Sequence, residues 1–471
     1  MQLFNSTLVR SLIFLTVGTP LFFSWQWSFG QEIDRERDEA MVERIFEEAM
    51  IRGNAYEQLD YLCTQIGPRL SGSDNAQKAV ERTALVMDSL GFDRVFKQKC
   101  TVPHWVRGEK EHAEIRVDEK TTEVAVCALG GSIATRNEGI LAEVVEVQNF
   151  LDLKKLGREN IEGKIVFYNR PMNPVHLYTF AAYSGSVDQR WAGAMRAAEY
   201  GAVGTVVRSM TLKLDDYPHT GSMGYADSIP KIPAIAISTQ GAELLHQVLT
   251  ENEKAKFFFK TSSKTLPDAT SYNVVGEIRG ESYPDELIVV GGHLDSWDLG
   301  QGAHDDGAGC VQSIEALRIL KAIGYKPRRT LRAVMFMNEE NGLRGAKKYA
   351  ELAEKNKEKH IAAIESDRGG FAPKGFHYEA NDKQEQFIQA VQFLFEKYGI
   401  YEFKEGYGGA DIGQLRGQGE ITMLGLVPES QRYFDYHHAA SDRIESVNKR
   451  ELHSGAAAMA AMIYLIDKYG I

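Results

Sequence analysis

Followed as apolar and polar positions, the chain changes period several times. From Ile33 to about Gly53 a charged stretch carries a helical repeat. A second helical pattern runs near Tyr56–Gln65 and ends at Gly67-Pro68; a third spans about Asn75–Leu90 and stops at Gly91. Two strand-like runs follow, Ala113–Val117 and Thr122–Ala128, and the pattern shifts near Gly130. Between about Gly139 and Thr265 the elements are short. They are strands Ile140–Val147 and Lys164–Tyr168, a helix around Ala192–Tyr200, strand Val203–Val207 and the apolar run Ile232–Ile237.

Beyond Tyr272 the alternation is regular. Strands at Asn273–Ile278, Leu287–Gly291, Thr330–Met337, Ile361–Glu365 and Ile421–Val427 are interleaved with helices at Gly307–Ile323, Gly342–Lys355 and Gln384–Tyr398. A long helix, Lys449–Tyr469, closes the chain. Such alternation predicts an α/β fold with a mainly parallel, mixed sheet and helices on both faces. The expected division is a discontinuous domain of residues 31–138 and 266–471, carrying an inserted domain at 139–265.

Composition adds little to the fold but narrows the setting. Hydrophobic residues make up 43% and charged residues 25% of the 471, an ordinary globular balance. The net charge is −11, which argues against nucleic acid as a partner. Residues 1–30 read as a signal peptide: Arg10 is the one charge, Leu12–Phe23 is apolar, and Ser28 and Gly30 suit cleavage near Gln31. Thr16, Gly18, Thr19 and Pro20 make that stretch a poor spanning helix. The expectation is therefore a secreted or periplasmic protein with no stable membrane insertion after cleavage. Of Cys63, Cys100, Cys127 and Cys310, the last reads as a buried free thiol; a disulfide is open to an exported chain.

The chemistry gathers at strand ends. His293 and Asp295 follow strand Leu287–Gly291, Asn338, Glu339 and Glu340 follow Thr330–Met337, and Asp367 follows Ile361–Glu365. In parallel sheets ligands sit beyond the carboxyl ends of the strands, so three strand ends bring these groups to one edge. Between them Gly302–Gly309 carries Asp305 and Asp306 before a helix. Alone, that pair reads equally well as a helix cap with an acidic first turn. A pair of histidines, His437 and His438, follows later on a loop. Mixed nitrogen and oxygen donors suit zinc better than magnesium or calcium. Two Zn²⁺ would balance Asp305, Glu340, Asp367 and one hydroxide, as a buried cluster requires.

With His293-Leu294-Asp295-Ser296-Trp297-Asp298, Asp305-Asp306-Gly307, Asn338-Glu339-Glu340, Glu365-Ser366-Asp367, His437-His438 with Asp442, and Ile66–Ser73, the chain resembles the co-catalytic zinc exopeptidases. That family takes in bacterial leucyl aminopeptidases and plasma glutamate carboxypeptidase, and the likeness is closer to the latter. The insert resembles a protease-associated domain. The resemblance implies two Zn²⁺ per chain, with Asp305 bridging them, His293 and Asp367 completing one site, and Glu340 and His438 the other. It implies that Asp295 hydrogen-bonds and orients His293, that Glu339 is the general base, and that the Asp305-Asp306 peptide is cis. His438 is preferred to His437 because it stands four residues before Asp442. His304 departs from the pattern and is not counted as a ligand.

The implied activity is hydrolysis of dipeptides or short peptides by a zinc-activated water, with a homodimer as a plausible assembly. Two readings compete: a single-zinc glutaminyl cyclase, and a receptor-like relative without catalysis. Which terminus of the peptide is captured stays open. An arginine would suit a carboxylate, but Arg368, Arg416 and Arg432 each read as surface or structural, and Asp298 and Asp411 are undecided.

Overall fold

A computed structural model describes residues 33–470, so the signal peptide expected at 1–30 lies outside the described residues. The chain enters through α1 (Arg35–Arg52), α2 (Ala55–Tyr61), which runs on as a π-helical turn over Leu62–Ile66, and α3 (Asp74–Ser89). The Ser73 hydroxyl accepts the Ala76 amide at 3.1 Å and so starts α3. Next comes β1 (Arg94–Val106), which the apolar pattern does not announce. It is an edge strand, so its sequence is mixed, and Pro103 sits where the register shifts between Val102 and His104. A proline, lacking an N–H, is tolerated at such a bulge.

The chain then builds a second layer from β2 (His112–Val117), β3 (Lys120–Glu123), β4 (Val126–Ala128), β5 (Ile140–Val147), α4 (Phe150–Ile161), β6 (Ile165–Tyr168), α5 (Thr179–Ser184), α6 (Asp188–Glu199), β7 (Gly204–Arg208), β8 (Ala234–Ile237), α7 (Thr239–Glu251) and β9 (Lys256–Lys260). Its sheet runs β3-β2-β9-β5-β6-β7-β8-β4. Strands β5 to β8 are mutually parallel and the flanking pairs antiparallel. Ala194, Ala197 and Ala198 of α6 pack with Leu153 of α4 and Tyr168 on one face; Ala242 and Leu245 of α7 pack with Phe167 and Phe259 on the other.

This sheet takes in β2, β3 and β4, so it begins before residue 139. The cause is the pairing of β2 with β9, a contact between distant segments that local periodicity does not encode. The layer returns to the first sheet between Lys260 and Lys264.

The remainder comprises β10 (Lys264–Ile278), β11 (Tyr283–His293), α8 (Ala308–Ala322), β12 (Arg329–Phe336), α9 (Arg344–Asn356), β13 (Lys359–Glu365), β14 (Pro373–Glu379), α10 (Asp382–Val391), β15 (Glu402–Glu405), β16 (Thr422–Pro428) and α11 (Lys449–Tyr469). The sheet order is β1-β10-β12-β11-β13-β16-β14-β15. Strands β12, β11, β13 and β16 are parallel neighbours, and antiparallel pairs flank them. Ala346, Tyr349, Ala350 and Ala353 of α9 pack against Val275, Val289 and Val334 on one face. Helices α3 and α8 cover the other, with Met87 close to Gly276 and Cys310 close to Gly292. This is the mixed α/β sheet with helices on both faces expected from the alternation.

Asp38 of α1 ties the first helix to the last, accepting from Tyr464 at 2.6 Å and from Lys468 and Tyr469 at 2.5 Å. All four cysteines are buried free thiols. No described helix is long and apolar enough to cross a membrane.

Candidate active site

Because β11, β12 and β13 are parallel, their carboxyl ends share one edge. His293 is the last residue of β11, Glu339 and Glu340 lie on the turn after β12, and Asp367 lies just past β13. The loop before α8 supplies Asp305, and the loop after β16 supplies His438. These five donors and Glu339 converge.

Asp305 stands at the centre. Its Oδ1 is 3.2 Å from His293 Nε2, which in turn is 3.4 Å from Asp367 Oδ1. Its Oδ2 is 3.2 Å from His438 Nε2, which is 3.1 Å from Glu340 Oε2. One carboxylate thus faces two separate histidine–carboxylate pairs. The Asp305-Asp306 peptide is cis, as expected.

Each histidine has its other nitrogen engaged. His293 Nδ1 donates to the Asp295 main-chain carbonyl at 2.9 Å. His438 Nδ1 donates to the Thr220 carbonyl at 3.3 Å. Arg190 Nη1, 3.4 Å from that same nitrogen, is then a neighbour and not a donor to it. In the neutral rings both Nε2 lone pairs therefore point at carboxylate oxygens. Lone pair against oxygen is repulsive unless a proton or a metal cation lies between them.

The electrostatics point the same way. Burial drives Glu339, Asp306 and Asp411 well above the usual carboxylate range, with the surrounding acids adding to it. Burial also lifts Glu340, Glu365 and Asp442 to about 7. Asp305 is the exception: burial opposes its charge, but His293 and His438 hold it well below the usual range. Burial pulls His438 down, yet Glu340 and Asp305 raise it to about 9. So many buried acids against two rings make a set of oxygen and nitrogen donors that fits divalent cations. Asp305 also groups with His437 and His438, and His293 with Asp306 and Asp367, as possible metal donors. Asp306, however, accepts the amides of His293 at 3.0 Å and Gly309 at 2.9 Å, which accounts for both its oxygens. His437 Nε2 lies farther away, 3.8 Å from Asp305 Oδ2, and its ring is packed among Tyr183, Tyr433 and Phe434.

Asp295 differs from expectation. Its carboxylate is 3.8 Å from His293 Nδ1, beyond hydrogen-bond range. Its Oδ1 instead accepts the amides of Asn338 at 2.7 Å and Glu339 at 3.1 Å. The ring is oriented by the main chain of Asp295, and the carboxylate fixes the turn that carries Glu339 and Glu340. His304 is wholly buried, stacked 4.1 Å from Phe371, and its Nδ1 accepts the Gly370 amide at 3.1 Å; burial holds it neutral, down to about 3. It braces the loop and does not face the donors.

Several residues outside the donor set support the site. The Asp442 carboxylate accepts the amides of His304 at 2.8 Å and Asp305 at 3.1 Å. Buried Arg69 donates to the carbonyls of Leu294, Gln301 and Gly302 at 2.6–2.9 Å. Gly302 adopts φ +59°, and a side chain there would collide with Ser296 and Arg69. The second layer also reaches in: Ser222 Oγ donates to the Glu340 carbonyl at 2.6 Å, and Arg107 grips Asp298 with bonds of 2.6 and 2.9 Å. Arg107, Thr220 and Ser222 carry no motif; only the tertiary contact singles them out. Arg416 and Arg432 are structural as expected, pairing with Glu379 and Glu451.

A family model described as peptidase family M28 matches residues 273–463. Carboxypeptidase Q of Bos taurus is 35% identical over 415 residues, covering 88% of this chain and 85% of that protein. A peptidase M28 precursor from Shewanella amazonensis, of known crystal structure, superimposes with a TM-score of 0.87 at 33% identity, over 92% of this chain and 97% of the other. A zinc aminopeptidase of Bacillus subtilis shares the fold, with a TM-score of 0.63 at 21% identity over 87% of this chain and 94% of that one. The chain is thus a member of peptidase family M28, a family of metal-dependent peptide hydrolases.

Proposed function

We propose that the protein is a two-zinc exopeptidase acting on dipeptides or short peptides. The observation that carries this reading is the split of Asp305, each oxygen of which faces its own histidine–carboxylate pair. Asp305 would hold both ions, His293 and Asp367 one of them, and Glu340 and His438 the other. Bound zinc would supply Lewis acidity, polarising the scissile carbonyl and making a water acidic enough to lose a proton near neutral pH.

The chain's own groups do the rest. Glu339, on the turn fixed by Asp295, would take the proton from the attacking water and pass it to the leaving amine. The Asp295 carboxylate accepts the Glu339 amide at 3.1 Å, which places that residue beside the donor set for both transfers. The main-chain carbonyls of Asp295 and Thr220 would keep the ligand rings in the tautomer that leaves Nε2 free. The family relatives named carboxypeptidase and aminopeptidase agree with action at a chain end. On the same reading a discontinuous catalytic domain carrying a protease-associated-like insert, with β2–β4 counted to the insert, export after signal cleavage, and assembly as a homodimer remain part of the proposal.

The test is Glu339→Gln. It should keep its zinc content in metal analysis and lose about 10²–10⁴ in kcat on unblocked dipeptides. Full turnover in that variant removes Glu339 from its role, and one zinc per wild-type chain would end the two-metal reading.

A further inference from the structure

We infer that the cavity beside Asp367 is a carboxylate pocket in which Arg368 is the residue that selects substrate. The inference rests on the exopeptidase reading above. The cavity measures 590 Å³ and is lined by both Asp367 and Arg368, with aromatic walls from Tyr178, Phe180 and Tyr407. That volume suits a small ligand of the size of an amino-acid residue or two.

Arg368 is buried, 8% exposed, yet both groups it bonds are neutral. Its Nη2 donates to the Tyr407 carbonyl at 2.7 Å and its Nη1 to His377 Nδ1 at 3.2 Å. His377 Nε2 donates in turn to Glu402 at 3.0 Å, which fixes the ring with its Nδ1 lone pair toward the guanidinium. The charge of Glu402 is already matched by Lys404 at 2.5 Å. The acids that also line the cavity do not answer Arg368 either. Glu365 accepts the amides of Ala410 and Ile412, each at 2.8 Å; Asp367 belongs to the proposed metal set; and Glu405 is exposed at the mouth. A buried cation held by neutral partners is costly unless a ligand brings the opposite charge. A guanidinium fork matches a carboxylate in two-pronged fashion. A substrate carboxylate held by Arg368 leaves the adjoining peptide bond toward Asp367. The carboxylate is either the free C-terminus or an acidic side chain next to it.

The experiment compares the full-length wild type with Arg368→Met and Arg368→Lys. Dipeptides are offered with a free or amidated C-terminus, and with Glu or Gln as the C-terminal residue. Arg368→Met should raise KM by about 10²-fold on the preferred acid with kcat nearly unchanged. It should leave the matching amide unaffected, and Arg368→Lys should fall between. Sensitivity to C-terminal amidation assigns the terminal carboxylate; sensitivity to Glu-for-Gln exchange assigns the side chain. A merely structural arginine would instead lower activity equally on acids and amides.

Calorimetric titration with a free amino acid and its amide, and with Glu and Gln, needs no turnover, so it separates failure of this inference from failure of the exopeptidase reading. If Arg368→Met does not fold, the wild type alone decides. Equal binding of acid and amide in both comparisons, or binding of neither, overturns the pocket.

Discussion

His293 and His438 repeat one device at two places. A main-chain carbonyl takes the Nδ1 proton, and Nε2 is left facing Asp305. Asp295 serves the device differently from the expectation set by resemblance, and the difference is measurable. If its carboxylate works by accepting two amides through Oδ1, Asp295→Asn keeps an acceptor there and should cost under about tenfold in kcat. Asp295→Ala removes it and should cost about 10–100-fold. Equal losses in the two variants would restore a charge-based role. At this scale the sequence supplied residue types and their order. It could not distinguish a carboxylate that turns a ring from one that caps a turn, because both need an Asp two residues after the His. Nor did it separate Arg368 from Arg416 and Arg432: burial and the neutrality of its partners exist only once β14 and the loop after β15 are in place.

Among elements, the contact of α9 with β13 offers a pH test away from the metal donors. His360, at the start of β13, is buried and bonded to the Tyr349 hydroxyl of α9 at 2.8 Å. Burial first, and then the Arg332 guanidinium, lowers its pKa to about 4. The unfolded ring titrates near 6.5, so the unfolded chain takes up more protons between those values. This contribution is complete above about pH 6.5 and is lost as pH falls toward 4, amounting to about 3 kcal/mol. Denaturant titrations from pH 4 to 7 should show that slope, and His360→Gln should flatten it; an unchanged slope would discount the site.

Elements whose apolar period is unbroken were readable from sequence, as with the strands that became β11, β12 and β13. Those that needed distant partners were not. Examples are β1 with its edge position and Pro103, and β14 beside β16, whereas α4 is obscured locally by Gly157 at φ 67° within it.

For the whole molecule, the balance of charge at the sheet edge matters most. Buried Asp305, Asp306, Glu340, Glu365, Asp411 and Asp442 crowd one region and raise one another's cost of ionisation. If bound cations offset that repulsion, a strong chelator should lower Tm by roughly 5 °C or more, and added Zn²⁺ should restore it. An unchanged Tm would show that the fold does not depend on metal. The second layer shares in this region through Thr220, Ser222 and Arg107, so its part in the site follows from docking and not from a motif of its own.

The sequence by itself determined that strands alternate with helices, that His and acidic residues fall at the ends of parallel strands, and that a glycine-bracketed turn carrying Asp305 and Asp306 precedes a helix. Those are local properties, carried by period, by glycine and by residue type. Only the tertiary structure decided that each oxygen of Asp305 meets a different histidine, that β2–β4 join the second sheet, and that Arg368 sits buried with neutral hydrogen-bond partners among the described residues. Each of these is a distance between segments far apart in the chain, set by packing that no local pattern records.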